Sequence, residues 1–218
     1  MSLVQTRTRR RIGPRSAGIS MTPDEFDSAR FVPHYRYELI QGVLVVAPPP
    51  DPTERGPNDD LGSMLRVYQR THPQGSSLND TLPEQTLNTT PQRRRCDRAI
   101  WAGLVRMPEP DQDIPAIVVE FVSESRRDIL RDYETKRDEY RRLGVRDYWV
   151  IDRFRRVMVV YRFRMDSDST EEIVVRESAI YQTDVLPGFE LPLSRLLGVA
   201  DRYPKKNRNR RPGAGGSR

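Results

Sequence analysis

Residues 116–122 read Ala-Ile-Val-Val-Glu-Phe-Val, and no other stretch limits the fold as much. An unbroken apolar run rich in β-branched residues, without alternation, is the pattern of a strand covered on both faces. The single charge in it, Glu120, is costly there unless it is paired or bound to a metal. A buried ion pair with an arginine and a functional role stand equally open at this point.

The segments around this strand supply its neighbours. Thr22-Pro23-Asp24-Glu25 carries a cap, a first-turn proline and a capping-box glutamate, and so starts a helix. Strands are expected at 35–40 and 43–47 around Gln41-Gly42, a hairpin signal. The proline-rich residues 48–52 end that strand and read as a loop. A helix is expected over 59–70, with Leu61, Met64, Leu65 and Tyr68 on one face. Short strands are expected at 77–80, 85–88 and 96–101. Beyond the buried strand come a helix over 126–143 ending at Leu143-Gly144, strands at 145–151, 157–163 and 172–176, and one helical turn at 194–197. This order predicts an α/β (α+β) domain with a mixed β-sheet flanked by helices.

Composition narrows the class. The chain has 218 residues, 36% apolar and 31% charged. No run approaches the roughly 20 apolar residues of a membrane helix, and no signal-peptide core follows Met1, so a cytoplasmic protein is expected. Cys96 is the sole cysteine, which excludes an internal disulfide and a cysteine-based zinc cluster. The formal charge of +6 is unevenly spread: residues 1–20 and 205–218 hold bases and no acids, while 21–204 hold 26 bases and 31 acids. The expected organisation is a basic disordered arm over 1–20, a domain over 21–204 and a basic disordered tail over 205–218. Such arms bind nucleic acid through phosphate charge or are simply solvated.

Of the 37 basic residues only three are lysines, and Lys136 is the only one between residues 21 and 204. On the expected helix 126–143 the apolar stripe runs Ile129, Tyr133, Tyr140, Leu143, and position 136 is its missing member. A lysine there must reach a pocket edge or pair with an inward carboxylate. Asp97, in Cys96-Asp97-Arg98-Ala99-Ile100-Trp101, interrupts the start of another strand. Asp97, Glu120 and Lys136 together are the minimum set for metal-assisted phosphodiester hydrolysis. Phosphate-loop, G-x-S-x-G and H-E-x-x-H motifs are absent, and both histidines, His34 and His72, sit beside prolines in expected loops.

These residues resemble a known family. Tyr37-Glu38-Leu39-Ile40-Gln41-Gly42, Arg94 through Trp101, Ile117 through Ser123 and the block Asp132…Lys136…Tyr140…Gly144-Val145…Tyr148-Trp149-Val150-Ile151-Asp152 are similar to the Uma-type restriction-endonuclease group of the PD-(D/E)XK nuclease-like superfamily. The similarity spans about residues 21–190. It implies a restriction-endonuclease-like core in a bacterial, Mg²⁺- or Mn²⁺-dependent DNA endonuclease. Asp97 and Glu120 match the motif's acids, and Val122 stands where the motif's lysine is usual, its place taken by Lys136. The resemblance also implies metal contacts from the Phe121 carbonyl and from Glu38. It departs at Cys96, where proline is usual, and at Pro57-Asn58-Asp59, where many relatives carry a histidine. Arg93, Arg94 and Arg95 are candidates for DNA phosphate contact. Asp132, four residues before Lys136, is placed to pair with it. Cutting both strands would favour a homodimer. The alternative is a non-catalytic nucleic-acid-binding or regulatory protein on a degenerate nuclease fold.

Overall fold

A computed structural model describes residues 11–123, 134–164 and 169–203. The expectations for residues 1–10 and 205–218, and for Ile129, Asp132 and Tyr133, lie outside the described residues.

The strands are β1 (Arg11–Ile12), β2 (Arg30–Phe31), β3 (Arg36–Ile40), β4 (Val43–Ala47), β5 (Leu78–Pro83), β6 (Thr86–Thr89), β7 (Gln92–Arg95), β8 (Arg98–Ala102), β9 (Ile117–Phe121), β10 (Asp147–Asp152), β11 (Val157–Phe163), β12 (Thr170–Arg176), β13 (Ile180–Thr183) and β14 (Leu186–Pro192). The helices are α1 (Pro23–Asp27), α2 (Pro52–Thr71), α3 (Lys136–Leu143) and α4 (Leu193–Asp201). The main sheet has the order β12-β11-β10-β9-β8-β5. β9 and β10 are parallel and every other pairing in it is antiparallel. A smaller sheet runs β4-β3-β7-β6, and β1-β2 and β13-β14 form two-stranded ribbons.

The buried run is the strand β9, with cover on both faces. Ile117, Val119 and Phe121 join Leu61 and Leu65 of α2 and Leu193, Leu196 and Leu197 of α4 in one core. Val118 and Val122 join Tyr140 of α3, Tyr148 and Val150 in another. A third core, with Tyr37, Leu39, Leu44 and Phe26, lies under the smaller sheet. The β3–β4 hairpin turns at Gln41 (φ 50) and Gly42 (φ 73), both in the left-handed region that a two-residue hairpin turn requires. Thr22 caps α1 through its side chain and Glu25 completes the box.

Two expectations need correction. Residues 11–20, assigned to a disordered arm on charge, are part of the fold. Ile12 is buried in the third core, β1 pairs with β2, and Gly18 N donates to Leu44 O. Apolar contacts of single isoleucines outweigh the arginine content there. Helix α2 begins at Pro52, not at 59: Asp51 caps it by accepting from Thr53 N, and Pro52 occupies the first turn. Pro57 lies inside the helix at the loss of one backbone bond. No helix among the described residues is long and apolar enough to cross a membrane.

Candidate active site

β8 and β9 pair with Arg98 opposite Val119 and Ala99 opposite Val118. One step further along this register, Asp97 falls opposite Glu120, on the face carrying α3. There the ladder stops. The Asp97 carboxylate takes the Phe121 amide (N to Oδ2 2.6 Å), while its carbonyl accepts from Glu84 N (2.9 Å) and Asn58 Nδ2 (2.8 Å). Two acids therefore meet where two strands part, and a side chain replaces a ladder bond at that point.

Helix α3 brings the cation. Lys136 is its first residue, and its Nζ lies 2.6 Å from Glu120 Oε1. Tyr140, one turn on, donates its hydroxyl to the same oxygen at 2.9 Å. Burial, then the charge of Glu120, pushes the Tyr140 phenol well above its ordinary value, so it stays a neutral donor. Glu120 and Lys136 are each 2% exposed.

The smaller sheet closes the site. Along β3, Tyr37 and Leu39 enter the third core, so Arg36 and Glu38 share the opposite face. Arg36 NH2 lies 2.5 Å from Asp97 Oδ1 and its Nε 3.2 Å from Glu84 Oε2. Glu38 Oε1 accepts from Arg95 N at 3.0 Å and stands 4.0 Å from Lys136 Nζ.

A cleft of about 290 Å³ opens on this cluster, with Arg36, Glu54, Asn58, Glu84, Arg95 and Asp97 in its wall. Glu54 is pushed up to about 8 by burial first, then by Asp97 and Asp51. On α2, positions 54, 58 and 62 succeed one another at four-residue steps and share a face. Asn58 accepts from Arg98 Nε (2.7 Å), and Arg98 also donates to the Asn58 carbonyl (2.8 Å) and to Thr81 Oγ1 (3.1 Å). Burial draws Arg98 down to about 10, so it stays charged at neutral pH. Its guanidinium rests on Gly62, where a Cβ would come within 2.6 Å of NH2.

Asp97, Glu120, Lys136 and Glu38 thus converge, and Arg95 reaches the cleft. Arg93 and Arg94 do not: Arg93 forms a two-point pair with Asp27, and Arg94, fully buried, pairs with Glu139. These two arginines lie on opposite faces of β7 and each is taken up by a carboxylate of another element, so they are not placed for phosphate contact. Cys96 is buried, and burial pushes its thiol well above its ordinary value. Arg36, Glu54, Asn58 and Glu84 were not singled out by the sequence reading. For Glu54 and Asn58 the local signal is Asp51-Pro52, the same cap-plus-proline helix start that Thr22-Pro23 carries.

The donor set suits a hard divalent cation. Glu38, Glu54, Glu84, Asp97 and Glu120 gather around Arg36, Arg95 and Lys136, and Glu54 is held protonated first by burial and then by its acidic neighbours. Among the described residues no cluster of three or more His, Cys, Asp and Glu is arranged to hold a metal. Mg²⁺, however, is commonly held by one or two carboxylates with waters and substrate phosphates completing its shell, so the residues fit it.

The model of the Uma2 family, described as "Putative restriction endonuclease", matches residues 23–194. Among solved structures, one from Anabaena variabilis, described as "a putative nuclease belonging to DUF820", is similar with a TM-score of 0.65. It is 16% identical, and the match covers 83% of this chain and 99% of that one. At that identity the likeness bears on the fold. A comparison with curated proteins gives no match.

Proposed function

The chain belongs to the Uma2 restriction-endonuclease family, and on that premise we propose that it is a divalent-metal-dependent endonuclease hydrolysing phosphodiester bonds in DNA. The observation that most supports this is the meeting of Asp97 and Glu120 at the parting of β8 and β9, with the Lys136 ammonium 2.6 Å from Glu120. Bound Mg²⁺ or Mn²⁺ would supply Lewis acidity toward the phosphate and a more acidic water. Asp97 and Glu120 would hold it, with Glu38, Glu54 and the Phe121 carbonyl as further oxygen donors.

The chain's own residues have distinct tasks in this reading. The Phe121 amide fixes Asp97, and Lys136 with Tyr140 fixes Glu120, so neither carboxylate need reorganise during the reaction. Lys136, 2.6 Å from Glu120 Oε1, orients the attacking water and offsets negative charge growing on the phosphoryl oxygens. Arg95, at the cleft wall, contacts a flanking phosphate and positions the strand without reading its sequence. Cleavage of both strands would call for a symmetric pair of chains.

The test is nicking of supercoiled plasmid by the purified chain with Mg²⁺ or Mn²⁺. Asp97→Asn, Glu120→Gln and Lys136→Met should each abolish cutting while circular dichroism shows a folded protein. An inert wild type that still binds DNA would leave the non-catalytic binding reading in its place.

A further inference from the structure

We propose that Arg36 is a resident counter-cation, which a divalent ion must displace from Asp97 and which then withdraws onto Glu84. The inference rests on the metal-site reading above and concerns how that site is held before metal arrives.

Both oxygens of Asp97 are engaged. Oδ2 takes the Phe121 amide at 2.6 Å, a main-chain donor in the central sheet that cannot leave without distorting β9. Oδ1 takes Arg36 NH2 at 2.5 Å. The exchangeable partner is therefore the arginine. It also lies on the solvent side: its side chain is 20% exposed against 4% for Asp97, and it lines the cleft. Arg36 and Asp97 both line that cleft while Glu120 and Lys136 do not, so an ion entering it meets the Asp97 carboxylate already engaged by Arg36.

Arg36 has somewhere to go. Its Nε is already 3.2 Å from Glu84 Oε2, which also accepts from Arg95 Nε at 2.9 Å. The other oxygen, Glu84 Oε1, is buried and has no hydrogen-bond partner among the described residues. A buried acceptor left empty is unfavourable. A guanidinium presents its donors as a planar fork that matches both oxygens of one carboxylate. Releasing Asp97 thus lets Arg36 complete a two-point pair with Glu84 without losing its charge partner. The arrangement offers two seats for one guanidinium, one shared between Asp97 and Glu84 and one on Glu84 alone.

The experiment is Mn²⁺ binding to the full chain without DNA, followed by calorimetry and by the free-ion electron paramagnetic resonance signal. Variants are Arg36→Gln, Arg36→Lys and Asp97→Asn. Removing the competitor should tighten Mn²⁺ binding about tenfold or more in Arg36→Gln, the scale of one charge-assisted hydrogen bond. Arg36→Lys, which keeps the charge but loses the fork, should tighten it less, and it answers the question if Arg36→Gln does not fold. Asp97→Asn should lose the binding. Equal or weaker Mn²⁺ binding by the folded Arg36 variants, with a wild type that binds through Asp97, overturns the inference and leaves the nuclease reading standing. No Mn²⁺ binding by the wild type or the Arg36 variants, or binding unchanged in Asp97→Asn, removes the metal site and the inference with it.

Discussion

Replacing Lys136 by methionine removes a buried ammonium and keeps its volume. The side chain is 3% exposed, as is that of Glu120, whose Oε1 lies 2.6 Å away. Breaking such a pair from one side leaves a buried charge without its partner, at a cost of about 3–5 kcal/mol. The structure also predicts an asymmetry. After Lys136→Met, Glu120 and Glu38 both lose the Lys136 ammonium, whereas after Glu120→Gln the ammonium still has Glu38 at 4.0 Å. Lys136→Met should therefore be the more damaging single change, and the double variant should be more stable than Lys136→Met alone. Trp101 and Trp149 are fully buried, so their emission follows unfolding in urea. A loss of that size lowers the melting temperature by about 6–20 °C in a domain this large. A Lys136→Met protein within about 0.5 kcal/mol of wild type, or a double variant showing simple additivity, would refute the buried pair.

Three further outcomes are expected. Between its ordinary value of 4.5 and about 8, Glu54 is protonated in the folded protein but ionised in the unfolded one. Stability of the metal-free protein should therefore fall as pH rises through that window, and Glu54→Gln should flatten the decline in urea midpoints. Arg94→Ala should cost about 3–5 kcal/mol through the stranded Glu139, whereas Arg95→Ala should leave stability near wild type, weaken DNA binding and reduce its salt dependence. The Cys96 thiol should react with a disulfide reagent only as fast as the native protein opens, because burial both hides it and suppresses its thiolate.

The sequence made some of this legible because the informative residues violate their surroundings. Glu120 interrupts an apolar strand and Lys136 fills an apolar helical position, so each signals a need for a partner, and the fold supplies each with the other. Glu38 and Asp97 entered as strand residues in recognisable blocks. Arg36, Glu54 and Glu84 carry no such mark, since an arginine or glutamate in polar company is ordinary anywhere on a surface. Arg36 and Glu54 come to Asp97 because the smaller sheet and the start of α2 close over it, and Glu84 because β5 pairs with β8, all long-range events without a local pattern. Strand β7 was missed for a related reason. Its residues, Gln92-Arg93-Arg94-Arg95, carry no apolar pattern, yet each of its arginines meets a carboxylate from another part of the chain.

Gly62 fixes how α2 sits on the sheet. Helices held by apolar ridges can slide along their partners at small cost, because such contacts are non-directional. The Arg98 guanidinium instead rests in the gap left by the missing side chain and grips Asn58 one turn earlier, which in turn holds the Asp97 carbonyl. The helix is indexed lengthwise as well as packed. Its axial position sets where Glu54, two turns before Gly62, stands against Asp97. A methyl group at position 62 would therefore alter the spacing of two acids by shifting the rod that carries one of them.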